Sequence, residues 1–212
     1  MNIEKIISKI DQLKPIPQIA TKIMSMTQDP ECGLADISKV VTYDVTITAN
    51  ILRTVNSAAY GLSRKIESIH QAVTLLGLKE LVQMIFMSVA SSNLKRACQG
   101  YDLEEGALWK HSAASAFLSG KIGETVIGGD GNLVFTATLL KDMGKVLLNQ
   151  YVHEGLKEIK NLVFQKDYTF LDAEREIIGI DHAHLGGIIA KKWNFSDRMV
   201  NLIQNHHLSD EK

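Results

Sequence analysis

The chain has 212 residues, which is enough for one domain with a sizeable core or for two small domains. Its 23 basic and 24 acidic residues give a formal net charge of −1, so charge does not predict a nucleic-acid partner, and the 45% hydrophobic content is that of an ordinary globular protein. The two cysteines, Cys32 and Cys98, form no CxxC motif. This is typical of a reducing compartment, and no apolar run is long enough to span a membrane, so we expect a cytoplasmic protein.

Helices are predicted along the whole chain. All three prolines precede Glu31, and apolar residues recur at three- and four-residue spacing. In the first half this spacing predicts helices over residues 3–10, 19–26, 34–43, 47–55, 69–76 and 78–94. Pro15 and Pro17 predict an extended link, and Ser68 is the predicted N-cap of the fifth helix.

The second half follows a polar, charged stretch at residues 95–102. This stretch predicts a boundary between an N-terminal helical subdomain, residues 1–100, and a C-terminal one, residues 101–212, within a single module. Helices are predicted over residues 104–127, 133–151, 154–164, 171–178, 183–193 and 197–204, with a glycine-rich loop at 128–131. The predicted fold class is all-α, with about eleven helices.

Five side chains in the second half have the chemistry of metal ligands: His111, Asp142, His182, His206 and His207. Neutral imidazoles with a carboxylate suit divalent iron, manganese or zinc, and ligands on separate helices can meet in a bundle core. Each histidine taken singly is also compatible with a solvated or hydrogen-bonded position. His184 lies two residues from His182, so at most one of the two is expected to face inward.

Several motifs carry a resemblance that covers nearly the whole chain. They are Leu13-Lys-Pro-Ile-Pro17, Val55-Asn-Ser-Ala-Ala-Tyr-Gly61, Ile66-Glu-Ser-Ile-His-Gln-Ala-Val73, Leu75-Leu-Gly-Leu78, Leu108-Trp-Lys-His-Ser112, Leu139-Leu-Lys-Asp-Met-Gly144 and Asp181-His182. In combination they resemble the HDOD family, a bacterial signalling relative of the HD-domain phosphohydrolases. The resemblance implies a multi-helix, HD-domain-like bundle with an N-terminal helical subdomain.

The resemblance also assigns places to the candidate residues. His111 matches the first metal ligand of the HD family, and Lys141-Asp142 stands at the histidine–aspartate doublet. His182 and the pair His206-His207 match histidines of the cyclic-di-GMP phosphodiesterase branch. Together these six residues are the predicted vestigial HD site.

Two departures from the family pattern argue against catalysis. Lys141 replaces the doublet's histidine, and a protonated lysine has no lone pair with which to bind a metal. The glycine–tyrosine–proline signature of the phosphodiesterase branch does not follow His207. We therefore predict no catalytic residue and no resident cofactor, and we expect the Lys141 ammonium to pair with Asp142 or another carboxylate.

The predicted function is a non-catalytic signalling module that acts through a protein partner, without nucleic acid or membrane. One alternative is a metal-dependent phosphohydrolase with a reduced site, in which His111, Asp142, His182, His206 and His207 supply ligands for Fe, Mn, Zn or Ni. The other is a sensor that binds a nucleotide or cyclic dinucleotide in the former active-site cleft.

Overall fold

The structure is a computed structural model, and it describes residues 3–13, 18–26, 29, 31–125 and 131–207. Every regular element in these residues is an α-helix or a short 3-10 turn, apart from one isolated bridge between Cys98 and Leu103. The predicted all-α class is confirmed. The chain divides into two compact units, one formed by Ile16–Ala90 and the other by Met1–Pro15 with Ser91–Lys212.

In its described residues, the unit formed by Ile16–Ala90 contains five helices. They are α2 (Gln18–Met26), α3 (Leu34–Thr42), α4 (Val45–Val55), α5 (Ile69–Leu76) and the first part of α6 (Leu78–Leu94). Helix starts follow local capping, since the side chains of Asp44 and Ser68 accept hydrogen bonds from the backbone N–H groups of Ile47 and Gln71. Gly77, with a positive φ of 83°, ends α5 as the sequence predicts.

The larger unit contains α1 and the helices after α6. They are α1 (Ile3–Ser8), α7 (Ala107–Thr125), α8 (Gly131–Leu140), α9 (Met143–Glu154), α10 (Leu156–Lys166), α11 (Phe170–Ile178), α12 (His182–Lys192) and α13 (Asp197–Gln204). α7 packs along α8, α12 packs on α9 and α13, and α13 also contacts α8. These contacts bring one end of α8, α9, α12 and α13 together.

The prediction of one continuous helix over residues 133–151 is wrong. The chain breaks at Lys141-Asp142, and α9 begins at Met143 with Asp142 as its N-cap residue. The apolar spacing continues through the break, so periodicity gives no sign of it. The break is compatible with close packing at Gly144, where a Cβ atom would collide with the backbone carbonyl of His182.

Other predicted boundaries differ by a few residues, as expected for frayed helix ends. The Pro15–Pro17 link and residues 128–130 of the glycine-rich loop lie outside the described residues, and Gly131 begins α8. The division at residue 100 stays a prediction, and the compact units change at Ala90 and Ser91. Within the described part of the chain, no single helix is long and apolar enough to cross a membrane, although α5 and α6, bent by 119°, meet the length and composition criteria as a pair.

Candidate functional site

Asp142 lies at the centre of the candidate site, at the junction of α8 and α9. Its carboxylate is fully buried. The ammonium of Lys141 pairs with Oδ2, and the Nζ atom of Lys145 lies 2.7 Å from Oδ1. Lys145 reaches the carboxylate because it lies three residues further on, one turn along α9. The pair predicted between Lys141 and Asp142 is present, and Lys145 supplies a second cation.

The two lysines determine the charge state of the carboxylate. Burial by itself would raise the pKa of Asp142, but the positive charges of Lys145 and Lys141, with their hydrogen bonds, lower that pKa well below its ordinary value. Asp142 is therefore ionised at neutral pH, and its charge is matched at close range by two ammonium groups.

Three histidines approach the same carboxylate from α7, from the start of α12 and from the segment that follows α13. The Nε2 atom of His111, on α7, lies 3.9 Å from Oδ2, while those of His182 and His206 lie 3.7 and 3.9 Å from Oδ1. His207 joins the group through His182, since the two Nε2 atoms are 3.0 Å apart. The structure thus brings together all six residues that the sequence nominates, although the His111 side chain is 60% exposed.

A second buried carboxylate holds His182 in place. Glu174, on α11, is fully buried, and its Oε2 accepts hydrogen bonds from the backbone N–H of His182 at 2.9 Å and from Nδ1 at 2.7 Å. Its Oε1 accepts a hydrogen bond of 2.5 Å from the hydroxyl of Tyr101. Burial and the adjacent Glu174 raise the pKa of Tyr101 well above its ordinary value, so the phenol stays a donor.

These contacts orient the imidazole rings. Nδ1 of His206 lies 2.7 Å from the carbonyl oxygen of Ile203, so Nδ1 carries the proton and the neutral ring presents its lone pair at Nε2. Burial lowers the pKa of His206 to about 4, with opposing contributions from the Ile203 carbonyl and Asp142. Glu174 orients His182 in the same way, because its carboxylate accepts from Nδ1.

The histidine side and the aspartate side of the cluster fit a metal ion differently. His182, His206 and His207 offer ring nitrogens that all lie within 4.8 Å of one another, close enough to bind one ion. The carboxylate behind His182 is the outer partner that metal-binding histidines commonly have. Asp142 does not fit, because two ammonium groups already occupy its oxygens.

Sequence reasoning found some of these residues and missed others. His182 is buried and His184 is exposed, so only one of the two faces inward, as predicted. Lys145, Glu174 and Tyr101 were not predicted. The spacing of Lys145 from Asp142 could have revealed it, whereas Glu174 has no distinguishing pattern in the sequence.

The protein is all-helical, and its histidines and Asp142 converge within the larger of its two compact units. The HDOD domain matches residues 13–209, and the chain belongs to the HDOD domain family. A protein of Treponema pallidum (strain Nichols), itself uncharacterised, is 25% identical over 203 residues, which cover 93% of this chain and 38% of that protein. The chain therefore spans well under half of that relative's length.

Solved structures extend the comparison. An HDOD domain protein of unknown function from Geobacter sulfurreducens has a TM-score of 0.74 and 26% identity over all of this chain and 72% of its own. A candidate phosphohydrolase from Shewanella amazonensis SB2B has a TM-score of 0.72 and 20% identity, with coverage of 98% and 73%. A candidate signal transduction protein from Marinobacter aquaeolei VT8 has the same TM-score and identity, with coverage of 95% and 45%. At 20% identity, the last two likenesses concern the fold alone.

Proposed function

We propose that this chain is a non-catalytic signalling module that acts through a protein partner, and that Lys141 and Lys145 stand where an HD-domain phosphohydrolase holds a metal. The observation that carries the proposal is the pairing of both ammonium groups with the one buried carboxylate, Asp142. A carboxylate neutralised in this way is a poor ligand for a further cation.

Electrostatic repulsion from the two lysine ammonium groups opposes metal binding at Asp142. Two unit charges 4 Å apart interact by about 4 kcal/mol at an effective dielectric constant of 20, so a divalent ion beside one ammonium would meet a repulsion on the order of 8 kcal/mol. A metal at Asp142 would therefore have to displace both lysines. Both ammonium groups are held by the same carboxylate, and their side chains are only 19% and 20% exposed.

The test combines metal content with turnover. The full chain, purified without chelator, is analysed by mass spectrometry for iron, manganese, zinc and nickel, then assayed on bis(p-nitrophenyl) phosphate and cyclic dinucleotides. We expect substoichiometric metal and no turnover that depends on Asp142. Stoichiometric metal together with turnover that is abolished by Asp142→Asn would contradict the proposal.

One observation favours a second candidate, a phosphohydrolase with a reduced, single-metal site. His182, His206 and His207 present converging nitrogens without needing Asp142. Isothermal titration calorimetry with zinc, combined with the phosphodiester assay, distinguishes the two functions. A reduced enzyme should bind zinc tightly, lose that binding in His182→Ala and turn over substrate when loaded with zinc. Binding without turnover fits the signalling module.

The nucleotide-sensor alternative has less support. The cleft beside Lys141 and His206 has a volume of about 280 Å³ and is also lined by Thr138, Asn201 and Asn205. Pockets that enclose drug-sized ligands usually measure about 300–1,000 Å³, so a whole cyclic dinucleotide exceeds this cleft. Thermal stabilisation by a nucleotide panel is the direct test, and a clear shift with one nucleotide would favour the sensor.

A further inference from the structure

Two adjoining cavities form a groove along α5. The larger has a volume of about 880 Å³ and lies between the outer face of α5 and the loop that precedes it, residues 62–67. The smaller, of about 390 Å³, lies between α3, α4 and the start of α5. Both are lined by Glu67 and His70, and every lining residue belongs to the unit formed by Ile16–Ala90. Together the two cavities are the α5 groove.

The loop that forms one wall of the α5 groove is held in place by Asn56. The side-chain amide of Asn56 donates to the carbonyl oxygen of Ile66 at 2.8 Å, and its Oδ1 accepts from the N–H of Ile66 at 2.8 Å. The next backbone N–H, that of Glu67, donates to Oε1 of Gln71 on α5 at 2.9 Å. Because the loop is tied to the end of α4 and to α5, it needs little ordering when a ligand binds.

The α5 groove is more positive than the chain as a whole. Its lining residues carry three cations, Lys39, Arg64 and Lys65, and one carboxylate, Glu67, whereas the whole chain has a net charge of −1. Arg64 and Lys65 are exposed and form no ion pair with any residue that the structure describes. The positive charge is therefore available to an acidic partner.

Apolar side chains lie beside these cations. Leu75 is 50% exposed on the outer face of α5, and Leu62 and Ile66 on the loop are half-buried. α5 packs a different face into the core, so the apolar surface of the groove is left for contact with a ligand. The groove thus offers an apolar strip with cations along its loop side.

The exposure of the lining residues favours a polypeptide over a small molecule. Eight of the ten lining residues of the larger cavity are exposed, whereas a site for a small molecule usually buries about 70–90% of its ligand. We infer that the α5 groove binds an extended, acidic segment of a protein partner. Carboxylates of the segment pair with Arg64 and Lys65, and an apolar side chain lies on Leu75. This inference rests on the proposed function, in which the chain acts through a protein partner.

Selection of phage-displayed random peptides on the full chain tests the chemistry of the partner. We expect enrichment of sequences in which aspartate or glutamate lies close to an apolar residue. The enriched peptides are then synthesised with a fluorescein label, and their dissociation constants are measured by fluorescence polarisation. Failure to enrich any sequence, or enrichment without an excess of acidic residues, overturns the inference.

Paired variants test whether the peptides bind at the α5 groove. Arg64→Gln combined with Lys65→Gln should raise the dissociation constant about tenfold, and this effect should shrink as salt is added. Leu75→Ser should also weaken binding, because it removes apolar contact area. Lys22→Gln combined with Lys160→Gln is the matched control, since both lysines are exposed and neither lines the groove. Equal losses in the two paired variants, or no loss in either, would place the binding elsewhere and overturn the inference.

A nucleotide is the competing occupant of the groove. An excess of ATP should displace the labelled peptide no more than sodium chloride of the same ionic strength does. Stronger displacement by ATP that disappears in Arg64→Gln with Lys65→Gln would reassign the groove to a phosphate-bearing small molecule. These outcomes are independent of the proposed absence of catalysis, which metal content and turnover at Asp142 test separately.

Discussion

The Nζ atom of Lys145 lies 2.7 Å from Oδ1 of Asp142, one helical turn away along α9. Lys141, the preceding residue, pairs with the other oxygen of the same carboxylate. A fully buried aspartate thus has a cation for each of its oxygens. This relationship distinguishes the site from one in which the aspartate is free to bind a metal ion, and its energetic value can be measured.

Replacing Lys145 by methionine should destabilise the protein by about 1–3 kcal/mol, because Asp142 would stay buried with only one cation. Urea denaturation at pH 7.5 measures the loss. Lys160→Met is the matched control, since Lys160 is exposed on α10 and forms no ion pair among the described residues. In a double-mutant cycle, the cost of Lys145→Met should shrink when Asp142→Asn is also present. Equal costs in both backgrounds would mean that Lys145 acts through packing alone.

The prediction of the fold from sequence succeeds where periodicity and local capping agree. α5 and α13 lie at the predicted residues. Both have apolar residues at helical spacing and a serine N-cap, Ser68 for α5 and Ser196 for α13. The break at Lys141-Asp142 could not be seen in this way, because the residues on both sides are apolar at helical spacing. Close packing of Gly144 against the backbone of His182, forty residues after Asp142, accompanies the break, and nothing in the local sequence indicates this contact.

The histidines of the site could be predicted from the sequence, whereas the charged residues that surround them were harder to predict. The histidines and Asp142 have unambiguous ligand chemistry, so they can be nominated from the sequence. Glu174 is one of many acidic residues, and only the fold shows that it is buried behind His182. Lys145 differs from Glu174, because its spacing of three residues from Asp142 is a sequence signal, although a lysine on a helix is usually solvated.

Gly144→Ala should strongly destabilise the chain. The added Cβ atom would collide with the backbone carbonyl of His182, and neither backbone segment can move without shifting α9 against α12. A loss of at least about 3 kcal/mol is expected in thermal and urea denaturation. Gly33→Ala is the comparison, because its Cβ atom would meet nothing nearer than Asp36 Oδ2 at 3.5 Å. Similar losses in the two variants would show that contact with His182 does not determine the result.

Glu174→Gln should destabilise the protein and release the ring of His182. One amide oxygen cannot replace a carboxylate that accepts from Tyr101 and twice from His182, so a loss of about 1–3 kcal/mol is expected. Tyr101→Phe removes only one of these hydrogen bonds and should cost about 1 kcal/mol. NMR spectra of the histidine rings provide the second measurement, in which the Nδ1 proton of His182 should lose its slow exchange. An unchanged Nδ1 proton in Glu174→Gln would contradict this role.

His206 should make the protein less stable in mild acid. Its folded-state pKa is lowered to about 4, mainly by burial, while an unfolded histidine titrates near 6.5. Between these values the unfolded chain binds the proton and the folded chain does not, so the contribution of His206 is complete above pH 6.5 and declines as the pH falls towards 4. The difference between the folded and unfolded pKa values corresponds to a loss of unfolding free energy on the order of 3 kcal/mol. Urea denaturation at half-unit steps from pH 7.5 to 4.5 measures this loss.

His206→Gln isolates this contribution, because glutamine keeps a polar side chain but does not titrate. The variant should be less stable than the wild type at pH 7.5 and should lose less stability as the pH falls to 5. Part of the acid sensitivity should remain, since burial and the nearby His182 also lower the pKa of His207. Protonation of Asp142 destabilises the protein only at lower pH, because the pKa of this carboxylate is held well below its ordinary value. It therefore does not contribute between pH 6.5 and 5. An unchanged slope between pH 6.5 and 5 in His206→Gln would show that the His206 ring is not kept neutral by its burial.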